Sequence, residues 1–193
     1  IASVSLPLKK VRELETKPWV DLVEIETNNV IPLSDTMLIN NNIIPLHNSQ
    51  SPLTYSLDGE GVIIGFLDTG VDFNHDDFKD VNGNSRILSI WDHTDSADVN
   101  RIPAKYGYGQ VWSKADIDNG ICIHDDPANY YGHGTMVVGV AAGNGLASNQ
   151  FKGVAPKSDI VVVAMDFDIN DFNSSVADAI DYIFNIADSL GKP

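Results

Sequence analysis

The chain has 193 residues, 43% of them hydrophobic, enough for a substantial core and for one domain with part of another. Asp and Glu total 27 against 12 Lys and Arg, and the resulting net charge of -15 opposes a phosphate backbone and argues against nucleic acid as a partner. No apolar run approaches the roughly 18 residues of a membrane span, and the single Cys122 rules out an internal disulfide and a thiolate zinc site.

The first residues, Ile1-Ala2-Ser3-Val4-Ser5, lack the basic and apolar regions of a signal peptide, which leaves open a leader further upstream. Residues 7–15 read as a short helix, with Pro7 in its first turn and Leu8, Val11 and Leu14 at spacings of three. Lys17-Pro18 ends it. Trp19 to Thr27 reads as a strand exposed to water along part of its length. Residues 28–60 are rich in Asn, Ser and Pro and read as an extended connector with one short helix near Leu46 to Gln50. This connector is the candidate domain boundary, although 1–27 could equally be an N-terminal decoration of the domain after it.

Val62 to Leu67 is an unbroken apolar or small run after the turn-like Asp58-Gly59-Glu60-Gly61, the pattern of a strand buried on both faces of a parallel sheet. The run stops on Asp68. A carboxylate at the C-terminal end of such a strand lies where open α/β sheets place their chemistry, and Gly70 lets the chain turn sharply away. An ordinary strand-ending turn would use the same residues. In the polar turn after Gly70, the cluster Asp72, His75, Asp76 and Asp77 could hold a hard cation through its carboxylate oxygens, but it lacks the ligand periodicity of an EF-hand, and a solvated turn is the plainer reading. Residues 81–131 form a long excursion with a strand at Arg86 to Trp91, and a hairpin insertion beside a cleft is expected. Within it Cys122, His124, Asp125 and Asp126 fit no common zinc spacing and read as a surface loop.

Gly134 to Ala142 is built of small and apolar residues and closed by Gly143-Asn144-Gly145, which suits a buried helix held close to a sheet. Its glycines and valines are poor helix formers, so packing must offset the backbone cost. His133 stands at the entrance between two glycines. Alone it would be an ordinary exposed histidine; beside an Asp ending the central strand it becomes a candidate general base with Asp68 as its orienting carboxylate. Phe151 to Pro156 reads as a turn and Asp159 to Met165 as a second buried strand. A helix is then expected from Ser174 or Ser175, with a capping-box-like Asp178 and an apolar stripe of Val176, Ala179, Ile180, Ile183, Ala187 and Leu190. Alternating strands and helices predict an α/β fold with a doubly wound, mostly parallel sheet.

Asp68-Thr69-Gly70, then Gly132-His133-Gly134-Thr135 heading a small-residue helix, then Gly153-Val154-Ala155-Pro156 before an apolar strand, resembles the subtilisin-like serine proteases, or subtilases. The likeness covers about residues 45–193, and Arg86 to Asp92 looks like the corresponding stretch of clostridial and Bacteroidetes-type members. It implies a subtilisin-like catalytic domain over 61–193, represented by its N-terminal part, with 31–60 as a linker and the start of the mature domain. Residues 1–30 would be the end of an α+β inhibitory propeptide. By the same likeness Asp68 and His133 are the catalytic acid and base, and the region of Ile169 to Asn173 is where an edge strand pairs with substrate. No cofactor-binding or metal-ligating residue is implied, no cofactor is required for catalysis, and calcium is left room as a structural ion. The expected partners are a polypeptide substrate and the remaining C-terminal part of the domain, and the expected location is secreted or at the cell envelope.

The nucleophile is not among the serines after His133, which are Ser148, Ser158, Ser174, Ser175 and Ser189; none lies in the Gly-Thr-Ser helix start the family uses. The chain alone is therefore expected to be inactive. Two alternatives stay open: a subtilase-fold pseudoprotease that binds or regulates a partner, and a retropepsin-like aspartic protease, whose signature is also an apolar run ending in Asp-Thr-Gly.

Overall fold

The computed structural model describes residues 10, 13, 17, 18, 33–127 and 130–193. The chain divides into two compact units, 1–31 and 32–193. The helix expected over 7–15 and the strand expected over 19–27 lie outside the described residues, apart from Lys10 and Glu13 of the former.

In the second unit β1 (Ile63–Asp68), β2 (Ile87–Asp92), β3 (Gln110–Ser113) and β4 (Asp159–Ala164) form one sheet in the order β1-β4-β2-β3. β4 pairs in parallel with β1 on one side and β2 on the other, and β3 pairs antiparallel with β2. The helices are α1 (Leu33–Asn40), α2 (Ile43–His47), α3 (Lys114–Asp118), α4 (His133–Ala142) and α5 (Phe172–Leu190). β4 explains its own sequence. Ile160 and Val162 join the core under α4, with Val138 and Ala142, while Val161 and Val163 join a second core under α5, with Ala179 and Tyr182. The strand is apolar from Ile160 onwards because helices cover both faces.

β1 departs from this. It pairs with β4 alone among the described strands, and only Phe66 of its residues is buried, so the expectation of a strand buried on both faces holds for β4 and not for β1. Gly65 makes room for α5: a Cβ there would lie 2.5 Å from Ile183 Cγ2. Residues 81–131 do contain a hairpin, but it is no lateral insertion, since β2 is an interior strand of the sheet. The described part of the connector, 33–60, is less extended than its composition suggests; it holds two helices, and the second spans 43–47 rather than 46–50.

α5 begins at Phe172, ahead of the expected caps. Asp171 occupies the N-cap without a side-chain bond, and Ser175 is buried with its Oγ donating to the Phe172 carbonyl. Its buried stripe runs through Ser175, Ala179, Tyr182 and Ala187, leaving Ile180 and Leu190 exposed, because Trp91 draws the Tyr182 ring inward at 4.9 Å. α4 likewise buries one side only: Gly134, Val138 and Ala142 face the sheet, whereas Met136 and Val140 are exposed.

His93 comes directly after β2 and is buried edge-on against Trp91, with ring centroids 4.1 Å apart and neither ring nitrogen hydrogen-bonded among the described residues. Burial pushes its pKa from 6.5 down to about 4, against the opposing pull of Asp92, Asp178 and Asp166. Between these values the unfolded chain binds a proton that the folded ring refuses. Its contribution to stability is thus complete above about pH 6.5 and declines as the pH falls towards 4. In denaturant titrations at pH 7 and pH 4.5, the wild-type chain is expected to lose more stability than His93→Phe; equal losses would show that the ring is hydrated in the fold.

Candidate active site

Asp68 ends β1 and His133 opens α4, and although they stand 65 positions apart in the chain their side chains are in contact. Nδ1–H of His133 donates to Asp68 Oδ1 at 2.7 Å. The same carboxylate oxygen accepts the backbone N–H of Thr69 at 2.8 Å. That fixes the carboxylate on the rim, and with it the tautomer of the ring: the proton sits on Nδ1 and the Nε2 lone pair is free. The His133 side chain is 59% exposed and that of Asp68 12%. The hydrogen bond and charge of Asp68, with a smaller contribution from Asp126, raise the His133 pKa above its ordinary 6.5.

The strand end and the helix start are laced together by residues of the same motifs. Thr69 Oγ1 donates to Asp126 Oδ1 at 2.8 Å and accepts the Gly134 N–H at 3.0 Å. Asp126 Oδ2 accepts from both the N–H and the Oγ1 of Thr135, at 2.9 and 2.6 Å. Thr135 Oγ1 in turn accepts the Asp72 N–H at 2.7 Å. Buried Asp126 therefore clamps the turn after Asp68 to the first turn of α4. Gly134 permits the close approach, since a Cβ there would stand 2.1 Å from the Gly70 carbonyl oxygen. The helix is entered through Gly132 at φ 67°, a left-handed conformation that favours the absence of a side chain.

The pair opens onto a cleft of about 540 Å³ lined by Leu67, Thr69, Tyr130, Tyr131 and Phe167 as well as the pair itself. Tyr131 is 90% exposed and holds φ 56° beside the histidine. Asn170 and Asp171 lie in a turn and Phe172 and Asn173 begin α5, so the loop likened to the substrate-pairing region holds no strand here.

The remaining candidates go elsewhere. Asp72 Oδ1 accepts the Asn74 N–H, Asp76 pairs with Lys79, His75 Nδ1 accepts the Asp77 N–H, and Asp77 Oδ1 accepts the Ala147 N–H. These groups do not converge, and among the described residues no three His, Cys, Asp or Glu side chains are placed to hold a metal ion. The surface-loop reading of 122–126 is corrected: Cys122, His124 and Asp126 are buried, the last two because each meets a polar partner inside. Cys122 is pushed up to about 11 by burial, so its thiol stays protonated. Asp126 is the site residue that sequence reasoning missed; a carboxylate seven positions before the histidine, ahead of a Thr-bearing helix start, was the available signal. The hydroxyls of Ser148, Ser158, Ser175 and Ser189 donate to nearby backbone carbonyls, of Gln150, Ala155, Phe172 and Ile186, and none reaches His133.

The doubly wound α/β sheet carries an Asp–His pair on its carboxyl rim, beside an open cleft, which is where open α/β sheets bind their ligands. The sequence model of the Subtilase family matches residues 59–189, and the chain belongs to that family. It is 32% identical over 148 residues to subtilisin-like protease SBT2.3 of Arabidopsis thaliana, covering 66% of this chain and 17% of that protein. Over 142 residues it is 30% identical to the PII-type proteinase of Lacticaseibacillus paracasei, covering 70% of this chain and 7% of the other. The solved CspB protease of Clostridium perfringens superimposes with a TM-score of 0.59 at 29% identity, over 79% of this chain and 31% of that one. The chain thus spans under a fifth of these curated relatives and under a third of the structural one. The retropepsin alternative falls away with the parallel sheet and the histidine helix.

Proposed function

We propose that this chain is the Asp- and His-bearing portion of a subtilisin-like serine endopeptidase and that Asp68 and His133 are two members of its triad. The observation that carries the reading is the 2.7 Å bond from His133 Nδ1 to Asp68 Oδ1 at the mouth of the cleft. In this reading Nε2 of His133 takes the proton of a serine hydroxyl as the hydroxyl attacks a peptide carbonyl, and later returns a proton to the leaving amine. Asp68 keeps the ring in the accepting tautomer and stabilises the imidazolium. The serine and the oxyanion-hole donors come from sequence outside these 193 residues, so the chain alone is inactive. Catalysis requires no cofactor. Residues 1–30 are a propeptide remnant, 31–60 a linker and the start of the mature domain, and the whole protein acts on polypeptides outside the cell or in its envelope. No described helix is long and apolar enough to cross a membrane.

The full-length protein is expected to hydrolyse a casein or peptide substrate and to be labelled by a fluorophosphonate, while the purified 193-residue chain does neither. Turnover by the short chain would overturn the division of labour. A well-folded full-length protein that is neither labelled nor active would favour the regulatory, pseudoprotease reading instead.

A further inference from the structure

A second Asp–His pair lies behind the first. Asp92 ends β2 as Asp68 ends β1, and both are in register with Ala164 of the strand between them. Asp92 Oδ2 accepts from His124 Nδ1 at 2.6 Å, and its Oδ1 accepts from the N–H and Oγ1 of Thr94 at 2.9 and 2.7 Å. This pair is closed to solvent, with the His124 side chain 1% exposed and that of Asp92 7%. The other ring nitrogen of His124 accepts the Val71 N–H at 3.2 Å. The contact is tight: Gly70 holds φ 147°, and a Cβ on it would lie 2.9 Å from His124 Nε2 and 2.9 Å from the Asp125 carbonyl oxygen.

We propose that His124, held as the Nδ1–H tautomer by Asp92, is a positioning residue that fixes the Asp68–Val71 turn through the Val71 N–H and so sets the carboxylate that orients His133. An imidazole offers an acceptor only when one nitrogen is bare, and a carboxylate on Nδ1 puts the proton there and leaves Nε2 to accept. Val71 is fully buried, so its N–H has no water to turn to if that acceptor is lost. The turn is therefore anchored from two sides, by Asp126 through Thr69 and by His124 through Val71. The inference rests on the reading of Asp68 and His133 as acid and base, and the test separates the two.

The probe is the His133 titration measured by NMR in the 193-residue chain, for wild type and for Asp92→Asn, His124→Gln and His124→Phe. Asn at 92 can donate to Nδ1 and favour the Nε2–H tautomer, which sets two donors against each other at Val71. Gln at 124 can return an amide oxygen to the position of Nε2, whereas Phe cannot. The expected result is a wild-type midpoint above 6.5 that drops towards 6.5 in Asp92→Asn and His124→Phe and is largely restored in His124→Gln. In the full-length protein the same two variants are expected to lower kcat by about 10²-fold with KM little changed, as a small misplacement of the machinery does. If His124→Phe does not fold, Asp92→Asn and His124→Gln decide. An unmoved midpoint in folded Asp92→Asn overturns the positioning role alone; an unshifted midpoint in wild type overturns the catalytic pair on which it rests.

Discussion

On the proposed role of Asp68, Asp68→Asn in the full-length protein is expected to reduce kcat by about 10⁴-fold without unfolding it, the size of effect the same change has in a characterised Asp-His-Ser triad. Oδ1 of Asp68 receives both His133 Nδ1–H and the Thr69 N–H. An amide oxygen, with its two lone pairs, can accept both donors but cannot supply the negative charge that favours the imidazolium, and a flipped amide would turn its NH2 to the ring and drive it to the other tautomer. The hydrogen bonds that tie the turn to α4 run through Thr69, Asp126 and Thr135 and not through Asp68, so the fold is expected to hold. Steady-state hydrolysis alongside circular dichroism checks this. A loss below tenfold, with the fold intact, would show that some other group orients His133.

Gly134→Ala is expected to damage both site and stability. The added methyl would stand 2.1 Å from the Gly70 carbonyl oxygen and 3.0 Å from its carbonyl carbon, all backbone that no rotamer change can clear. Either α4 withdraws from the turn, which breaks the Gly134 N–H bond to Thr69 Oγ1 and carries His133 away from Asp68, or the Gly70 turn moves. Losses on the order of 3 kcal/mol are expected from overpacking and a broken buried hydrogen bond together. Urea unfolding of the chain reads the stability, and His133 titrating near 6.5 would report the separated pair. Alanine accepted with wild-type stability would mean that the helix is not seated so closely.

The Asp68–His133 pair is legible in the sequence because it sits at boundaries. A strand is betrayed by an apolar run, its end by a carboxylate and glycine, and a helix entrance by small residues around a histidine; each signal is local. β4 reads correctly to within a residue because both of its faces are covered, and Gly191 stops α5 where a left-handed glycine should. What escapes depends on distant partners. Asp126 and His124 look like loop polar residues because nothing within a few positions shows that Thr69, Thr135, Asp92 and Val71 meet them. The rotation of α5 is hidden for the same reason: Tyr182 is turned inward by Trp91 and by the Ser89 hydroxyl at 2.6 Å, both on β2. The hairpin strand β2 reads as an insertion because sequence order does not announce that it lies between β4 and β3.

The most direct measurement is the pH titration of the His133 ring by NMR in wild type and in Asp68→Asn. With the carboxylate bonded to Nδ1, the wild-type midpoint lies above 6.5 and falls back towards it when residue 68 loses its charge. Two superimposable curves would contradict the account, because they would mean that the imidazole does not feel the aspartate at all.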